Sequence, residues 1–225
     1  MYVPKHFEVP AELLARILAA PLAGDLITAH ADGLIATHLP YLWRPAGDEP
    51  GDGSLVLHVA RNNTQWSEPA IGEALFVITP ASDYISSLWY PTAQDSGKLV
   101  PTWDYVTLHL YGRLVAHDDV AWTTQAVADL MAAHERTVTL ADMPERYLAG
   151  ELRAIVGLEL QVTRLVAKAK LSQNRTPEDV DGVIEGLHGV GAHETAELVA
   201  EFAKPHAERR AALVAEVAER RRPNR

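Results

Sequence analysis

Apolar positions along the chain fall into blocks with two periods. Leu13, Leu14, Ile17 and Leu18 follow Pro10 at helical spacing and predict a helix with proline in its first turn, closed by Pro21 and Gly24. Asp25–His30 and Leu34–Leu39 flank Asp32-Gly33, a dipeptide that favours tight turns, and predict a β-hairpin. Beyond a Gly/Pro/Asp-rich loop over residues 47–53, the runs LVLHVA (55–60), EALFVIT (73–79) and YVTLHLYGRLV (105–115) carry the β-branched and aromatic content of strands. So many strands in the first half predict a barrel or a strongly curled antiparallel sheet. Residues 118–136 read as a helix with Trp122, Val127, Leu130 and Met131 on one side, and AIVGLELQVTRLVAKAK (154–170) as a long strand returning to the sheet. From Thr176 the pattern is helical. The expected fold class is mainly β with helical additions (α+β), with a barrel domain over residues 1–170 and a helical extension over 171–225 packed on it.

Charge narrows the choice of partners. The 225 residues carry a formal net charge of −10, which opposes holding DNA or anionic membrane by a general cationic field. Any nucleic-acid contact would be local, and the one basic cluster is the tail from Arg209-Arg210 to Arg220-Arg221-Arg222. Glu208, Glu216 and Glu219 compensate it, as on a solvated helix. The absence of cysteine excludes disulfides, thiolate nucleophiles and sulfur-based zinc sites. The first residues are proline-punctuated and include Glu8, unlike a signal peptide, and no apolar run reaches transmembrane length. The expectation is a cytoplasmic protein without membrane contact.

Two donor-rich stretches stand out in so acidic a chain. HVARNNTQW (58–66) ends a strand in Arg61, Asn62 and Asn63, with Trp66 behind them and a short helical segment expected near Thr64. Asparagine tolerates left-handed backbone and is equally at home in a plain turn. KLSQNR (170–175) stands before Thr176-Pro177, a good N-cap followed by a good first helical residue, so its donors lie where a helix favours an anion such as phosphate. Glu178 and Asp179 could equally satisfy that end themselves. Trp66, Tyr84, Trp89, Tyr90, Trp103 and Tyr105 could cover a heterocycle or plug a barrel end or subunit interface. His38 and His58 lie on expected strands and could be core residues or ligands to a metal. No HExxH or GxSxG occurs, and His188 and His193, around Gly189-Val190-Gly191 with no strand before them, read as neither a metal site nor a dinucleotide loop but as part of a turn.

In order, MYVPKHFE, GLIATHLP, HVARNNTQW, YISSLWY, VPTWDY with LHLYG, AIVGLEL, and KLSQNR followed by DVDGVIEGL resemble the PaiB-type FMN-binding negative transcriptional regulators nearly end to end. The resemblance implies a split β-barrel, a homodimer with flavin sites between subunits, and a transcriptional role. It places the cofactor against Thr37, His38, Arg61, Asn62, Asn63, Trp66, Thr102, Trp103, Ser172, Gln173 and Arg175. FMN would use both features: its phosphate needs donors and its ring needs apolar or aromatic cover. The chain departs from the family pattern at Asp104, where the family shows Asn, and at Thr79-Pro80, where it shows Gly-Pro. A carboxylate near a phosphate dianion is unfavourable unless paired. Relatives of the family, the piperazate synthases, resemble haem enzymes acting on a small molecule. In that reading the cofactor is haem b and His58 is its axial ligand.

Overall fold

The computed structural model describes residues 1–47, 51–92, 97 and 100–221. Three residues of the loop expected over 47–53 (48–50) and Arg222 of the tail lie outside these. Seven strands form one sheet in the order β2-β1-β5-β6-β7-β4-β3: β1 Ala23–His30, β2 Gly33–Pro40, β3 Leu42–Pro45, β4 Gly53–Ala60, β5 Ala74–Ile85, β6 Thr102–His117 and β7 Ile155–Lys170. The β1–β2, β1–β5, β3–β4 and β4–β7 pairs are antiparallel. Helices are α1 Ala11–Ala19, α2 Val120–His134, α3 Glu145–Arg153, α4 Pro177–Gly189, α5 His193–Leu198 and α6 Lys204–Arg220, with a π-helical turn Val199–Ala203 before α6.

The chain divides into two compact units: Met1–Val9 with Thr79–Thr107 and Ala167–Arg225, and Pro10–Ile78 with Leu108–Val166. In the second of these, α1 buries Leu13, Leu14, Ile17 and Leu18, the residues its spacing selects. The hairpin forms, but His30 pairs with Gly33, so the two-residue turn is Ala31-Asp32 and Gly33 opens β2 with φ of 130°. Along β1, Gly24, Leu26, Thr28 and His30 are buried, the period of a half-covered strand. Leu55, Leu57, Phe76, Leu108, Leu110, Leu158 and Leu160 complete that core. The helix expected over 118–136 is α2. It buries Thr123, Ala126 and Leu130, and Trp122 stacks on His117 with ring centroids 4.0 Å apart. A Cβ at Gly157 on β7 would run into the Trp122 ring, so only glycine fits beneath it.

Buried Tyr41, just before β3, donates from its hydroxyl to the Ile17 carbonyl at 2.8 Å and meets the Phe76 ring edge-on. It thereby adds a second donor to a carbonyl of the last helical turn, which also accepts the Ala20 amide at 3.2 Å. Tyr41→Phe should lower stability by about 0.5–1.5 kcal/mol, the net worth of one hydrogen bond, because the carbonyl keeps its backbone partner. Urea unfolding with an unchanged m-value checks this.

In the other unit, Ile85, Tyr90, Val106, Leu171, Val180, Val183, Leu187, Ala196, Val199 and Ala203 form the core. α4 begins as its sequence directs: the Thr176 hydroxyl accepts the Asp179 amide at 3.3 Å, and Pro177 occupies the first turn. α4 packs so closely on Trp89 that a Cβ at Gly186 would collide with the indole.

Candidate functional site

The two donor-rich stretches lie in different units, and each builds a distinct hydrogen-bonded cluster. In the first, β4 ends at Ala60, the chain turns through Arg61–Asn63, and one 3-10 turn follows over Thr64–Trp66, where a helical segment was expected. Asn63 caps that turn, its Oδ1 accepting the Gln65 amide at 2.9 Å. Its Nδ2 donates to Thr37 Oγ1 at 3.0 Å, and Thr37 donates in turn to Gln65 Oε1 at 2.6 Å. Gln65 Nε2 reaches Leu26 O and Thr28 Oγ1 at 3.0 Å and Ile35 O at 3.3 Å. Thr28 Oγ1 lies 2.7 Å from His30 Nε2.

Gln65 is thus the hub that ties the turn to β1 and β2, and it is 1% exposed. It is a functional-cluster residue that the sequence reading missed. Within HVARNNTQW nothing marked it apart from the other polar residues, because its partners are strand carbonyls distant in sequence.

Arg61 is pinned rather than free. Its Nε donates to Arg153 O at 2.7 Å, and Nη2 donates to Ile155 O at 3.0 Å and Asp118 Oδ1 at 2.8 Å. The hydrogen bond from Arg61 holds the Asp118 carboxyl below the usual carboxylate range. Trp66 Nε1 donates to Arg61 O at 2.8 Å. Asn62 is exposed, and its side chain has no hydrogen bond among the described residues. His38 is exposed on β2 with Nδ1 2.9 Å from Asp25 Oδ1.

His58, on β4, is half-buried, with a buried Nδ1 that has no hydrogen-bond partner. Burial lowers its pKa and favours the neutral imidazole. Beside it is a cavity of about 260 Å³ walled by Met131, Leu140, Met143, Leu148 and Leu152 among others.

The second cluster gathers Thr102, Trp103, Asp104, Lys170, Ser172, Gln173 and Arg175. Asp104 is fully buried. Lys170 Nζ donates to Asp104 Oδ1 at 3.2 Å, to Thr102 Oγ1 at 2.8 Å and to the Trp103 carbonyl. Ser172, held at φ of 64°, donates from Oγ to Asp104 Oδ2 at 2.5 Å. Desolvation by burial raises the Asp104 pKa, and Ser172, Lys170 and Arg175 oppose that rise. The departure from the family pattern at Asp104 is therefore paired, by a lysine and a serine of KLSQNR itself.

Gln173 spends both ends of its amide within its own loop: Oε1 accepts the Leu171 amide at 2.7 Å and Nε2 donates to Ala169 O at 2.6 Å. Asp179, buried in the first turn of α4, accepts from the Thr92 amide at 3.0 Å and the Thr92 hydroxyl at 2.7 Å. The start of α4 thus carries its own negative charge.

Arg175 closes the stretch. Its guanidinium lies 4.1 Å over the ring of buried Tyr90, and its positive charge opposes the rise that burial imposes on the pKa of the Tyr90 hydroxyl and of Asp104. In the same unit, Trp103 is 53% exposed and Tyr84 49%, and their rings meet edge to face at 6.1 Å. Most donors in both stretches hold the backbone in shape; in the first, Asn62 faces outward, and in the second, Arg175 keeps a half-buried positive charge. Such a guanidinium suits a phosphate, and the exposed aromatic pair suits a planar ring.

Residues 1–164 match the family model described as "Putative FMN-binding domain". The chain belongs to this family. It is 33% identical over 192 residues to Protease synthase and sporulation protein PAI 2 of Bacillus subtilis, covering 83% of this chain and 89% of that protein. Among solved structures, it is similar to the conserved hypothetical protein Rv2991 from Mycobacterium tuberculosis (TM-score 0.53, 11% identity, 76% of this chain and 91% of that one). It is also similar to the flavocytochrome Anf3 from Azotobacter vinelandii (TM-score 0.52, 11% identity, 75% of this chain and 72% of that one). The fold is the split β-barrel, mainly β with helical additions, as the family resemblance implied. No helix among the described residues is long and apolar enough to cross a membrane.

Proposed function

We propose that this chain is a PaiB-like flavoprotein that binds FMN as a homodimer with flavin sites between subunits, and that it serves as a negative transcriptional regulator. The observation that carries the flavin reading is Arg175, a half-buried guanidinium held over Tyr90 at the end of KLSQNR, in the same unit as an exposed Tyr84–Trp103 pair. Arg175 would hold the phosphate, while Trp103 and Tyr84 would cover the ring. Lys170, Ser172 and Gln173 would hold that loop in shape, Lys170 also neutralising the Asp104 charge next to it. Thr37 and Asn63 would have the same positioning role for the turn that presents Asn62. Bound flavin supplies redox chemistry or a ligand-sensing state; the residues named here bind and orient it. With a charge of −10 per chain, contact with DNA falls to the Arg209–Arg221 helix, whose residues face phosphates only locally.

The visible spectrum of freshly purified full-length protein tests the cofactor. Flavin bands, or their appearance on adding FMN, are expected. Arg175→Gln should weaken FMN binding by roughly tenfold or more, the worth of a charge-assisted contact. An unchanged affinity would remove Arg175 from the phosphate site.

One observation favours a second reading. His58 presents a neutral imidazole at an apolar cavity, which is the state that iron ligation needs. The fit is poor on size, because about 260 Å³ is below the roughly 300–1,000 Å³ of ordinary ligand pockets. It is poor on support as well, because Nδ1 lacks the hydrogen bond that normally orients an axial histidine. A Soret band lost in His58→Ala would establish haem b in place of FMN.

A further inference from the structure

His188 and His193 are absorbed by neither reading. His188 is the penultimate residue of α4 and His193 the first of α5, so three residues, Val190–Ala192, separate the helices. Those three are held firmly. The Val190 amide donates to Gly186 O at 3.2 Å, Gly191 to His188 O at 3.1 Å and Ala192 to Leu187 O at 2.9 Å. Gly191 takes φ of 81°, a left-handed conformation that closes a helix C-terminus and that glycine adopts without strain. Leu187 on one side and Thr195 and Ala196 on the other are buried, which anchors both helix ends.

On this fixed turn the two imidazoles meet with Nδ1 atoms 3.1 Å apart and ring planes tilted by 37°, both rings exposed. Two facing lone pairs at that distance repel, so one nitrogen carries a hydrogen and the other accepts it. A cation that accepts both lone pairs replaces that hydrogen, which moves to the far nitrogen of its ring.

We infer that His188 and His193 form a two-histidine site for a divalent transition metal. Metal–imidazole bonds of about 2.0–2.1 Å spanning the 3.1 Å separation give an N–metal–N angle of roughly 98°. That lies between the square-planar or octahedral right angle and the tetrahedral value, so the spacing suits Cu(II), Ni(II) and Zn(II) once the two exposed rings turn their lone pairs toward a common point. Imidazole nitrogen suits this group of metals, and Cu(II) should bind most tightly by the usual order of divalent affinities. Among the described residues no group of three or more His, Asp or Glu side chains is arranged to hold a metal. Two protein ligands therefore leave the other positions to solvent, so the metal is exchangeable rather than a closed structural ion. The site staples the end of α4 to the start of α5.

Titration of the full-length protein with CuCl2, and separately with ZnCl2, followed by calorimetry, tests this. The intact protein should show a binding event of one equivalent that disappears in His188→Ala and equally in His193→Ala. The double variant should match either single one, since neither imidazole suffices alone. Both side chains are exposed, and circular dichroism of the variants verifies that the fold is kept. Copper titrations that are superimposable across intact and variant proteins, or the absence of any event with either metal, overturn the assignment. The result is independent of the flavin: the same titration on protein with and without FMN should give the same difference between intact and variant chains.

Discussion

Replacing Lys170 by Met is expected to destabilise the protein by about 3–5 kcal/mol, because it leaves the Asp104 carboxylate buried without its counter-charge. Asp104 is fully buried, and Lys170 is its only cationic hydrogen-bond partner among the described residues, at 3.2 Å. Ser172 would then be its remaining side-chain hydrogen-bond partner among the described residues, with the Arg175 charge acting without a hydrogen bond to it. Desolvation already outweighs the favourable partners in the intact protein, since the Asp104 pKa is raised despite them. It follows that Asp104→Asn should be neutral or stabilising near pH 7. The amide keeps an acceptor for Lys170 and can donate to the Ser172 hydroxyl, while the cost of burying a charge disappears. The double variant should recover most of what Lys170→Met loses, and a double-mutant cycle from urea unfolding measures the coupling.

The pH dependence has a definite sign. A carboxyl whose pKa is higher in the folded than in the unfolded chain binds its proton more readily when folded. Its contribution to stability is fully present below the unfolded value of about 3.9 and is lost as pH rises through the folded value. The advantage of Asp104→Asn over the intact chain should therefore shrink as pH falls from neutrality toward the ordinary carboxylate range. Equal differences across that range would show that Asp104 ionises normally.

Gln65→Leu should have the second largest effect, a loss of about 2–4 kcal/mol. The leucine gives up the bonds to Leu26 O, Thr28 Oγ1 and the Thr37 hydroxyl at once; Thr28 keeps His30 and Thr37 keeps Asn63, so the cost is about 0.5–1.5 kcal/mol for each lost hydrogen bond. Gln65→Glu should cost a similar amount, because a carboxylate there would face strand carbonyls that offer it no donor. Hydrogen exchange is the discriminating measurement. Protection should fall in β1 and β2 and in the Arg61–Trp66 turn, and stay unchanged around Lys170–Arg175.

These two clusters show how far the sequence could be read. Strands with strong alternation or long β-branched runs, β1, β4, β5, β6 and β7, were legible because burial imposes their pattern. β3 was not: Leu42–Pro45 is four residues long, ends in an exposed proline and is otherwise half-buried, with no alternation between faces. Helix α3 escaped for another reason, since Glu145–Arg153 is mostly polar, its apolar face is only Tyr147, Leu148 and Leu152, and of the segment only Leu152 is buried. At the site, the polar character of HVARNNTQW and KLSQNR was visible, but the division between donors that hold the loop and donors that face outward was not. Ser172 is spent on Asp104 and Gln173 on its own backbone, facts decided by a left-handed residue and by a carboxylate 68 positions away. The same holds for Gln65, the penultimate residue of HVARNNTQW, whose partners are on β1 and β2.

The most direct test of the flavin account compares FMN with riboflavin, which lacks only the phosphate, in fluorescence titrations of the intact protein and of Arg175→Gln. The account predicts that the intact protein prefers FMN by roughly tenfold or more and that the variant binds the two nearly alike. A protein that binds neither, or that keeps its full preference for FMN without Arg175, would contradict it.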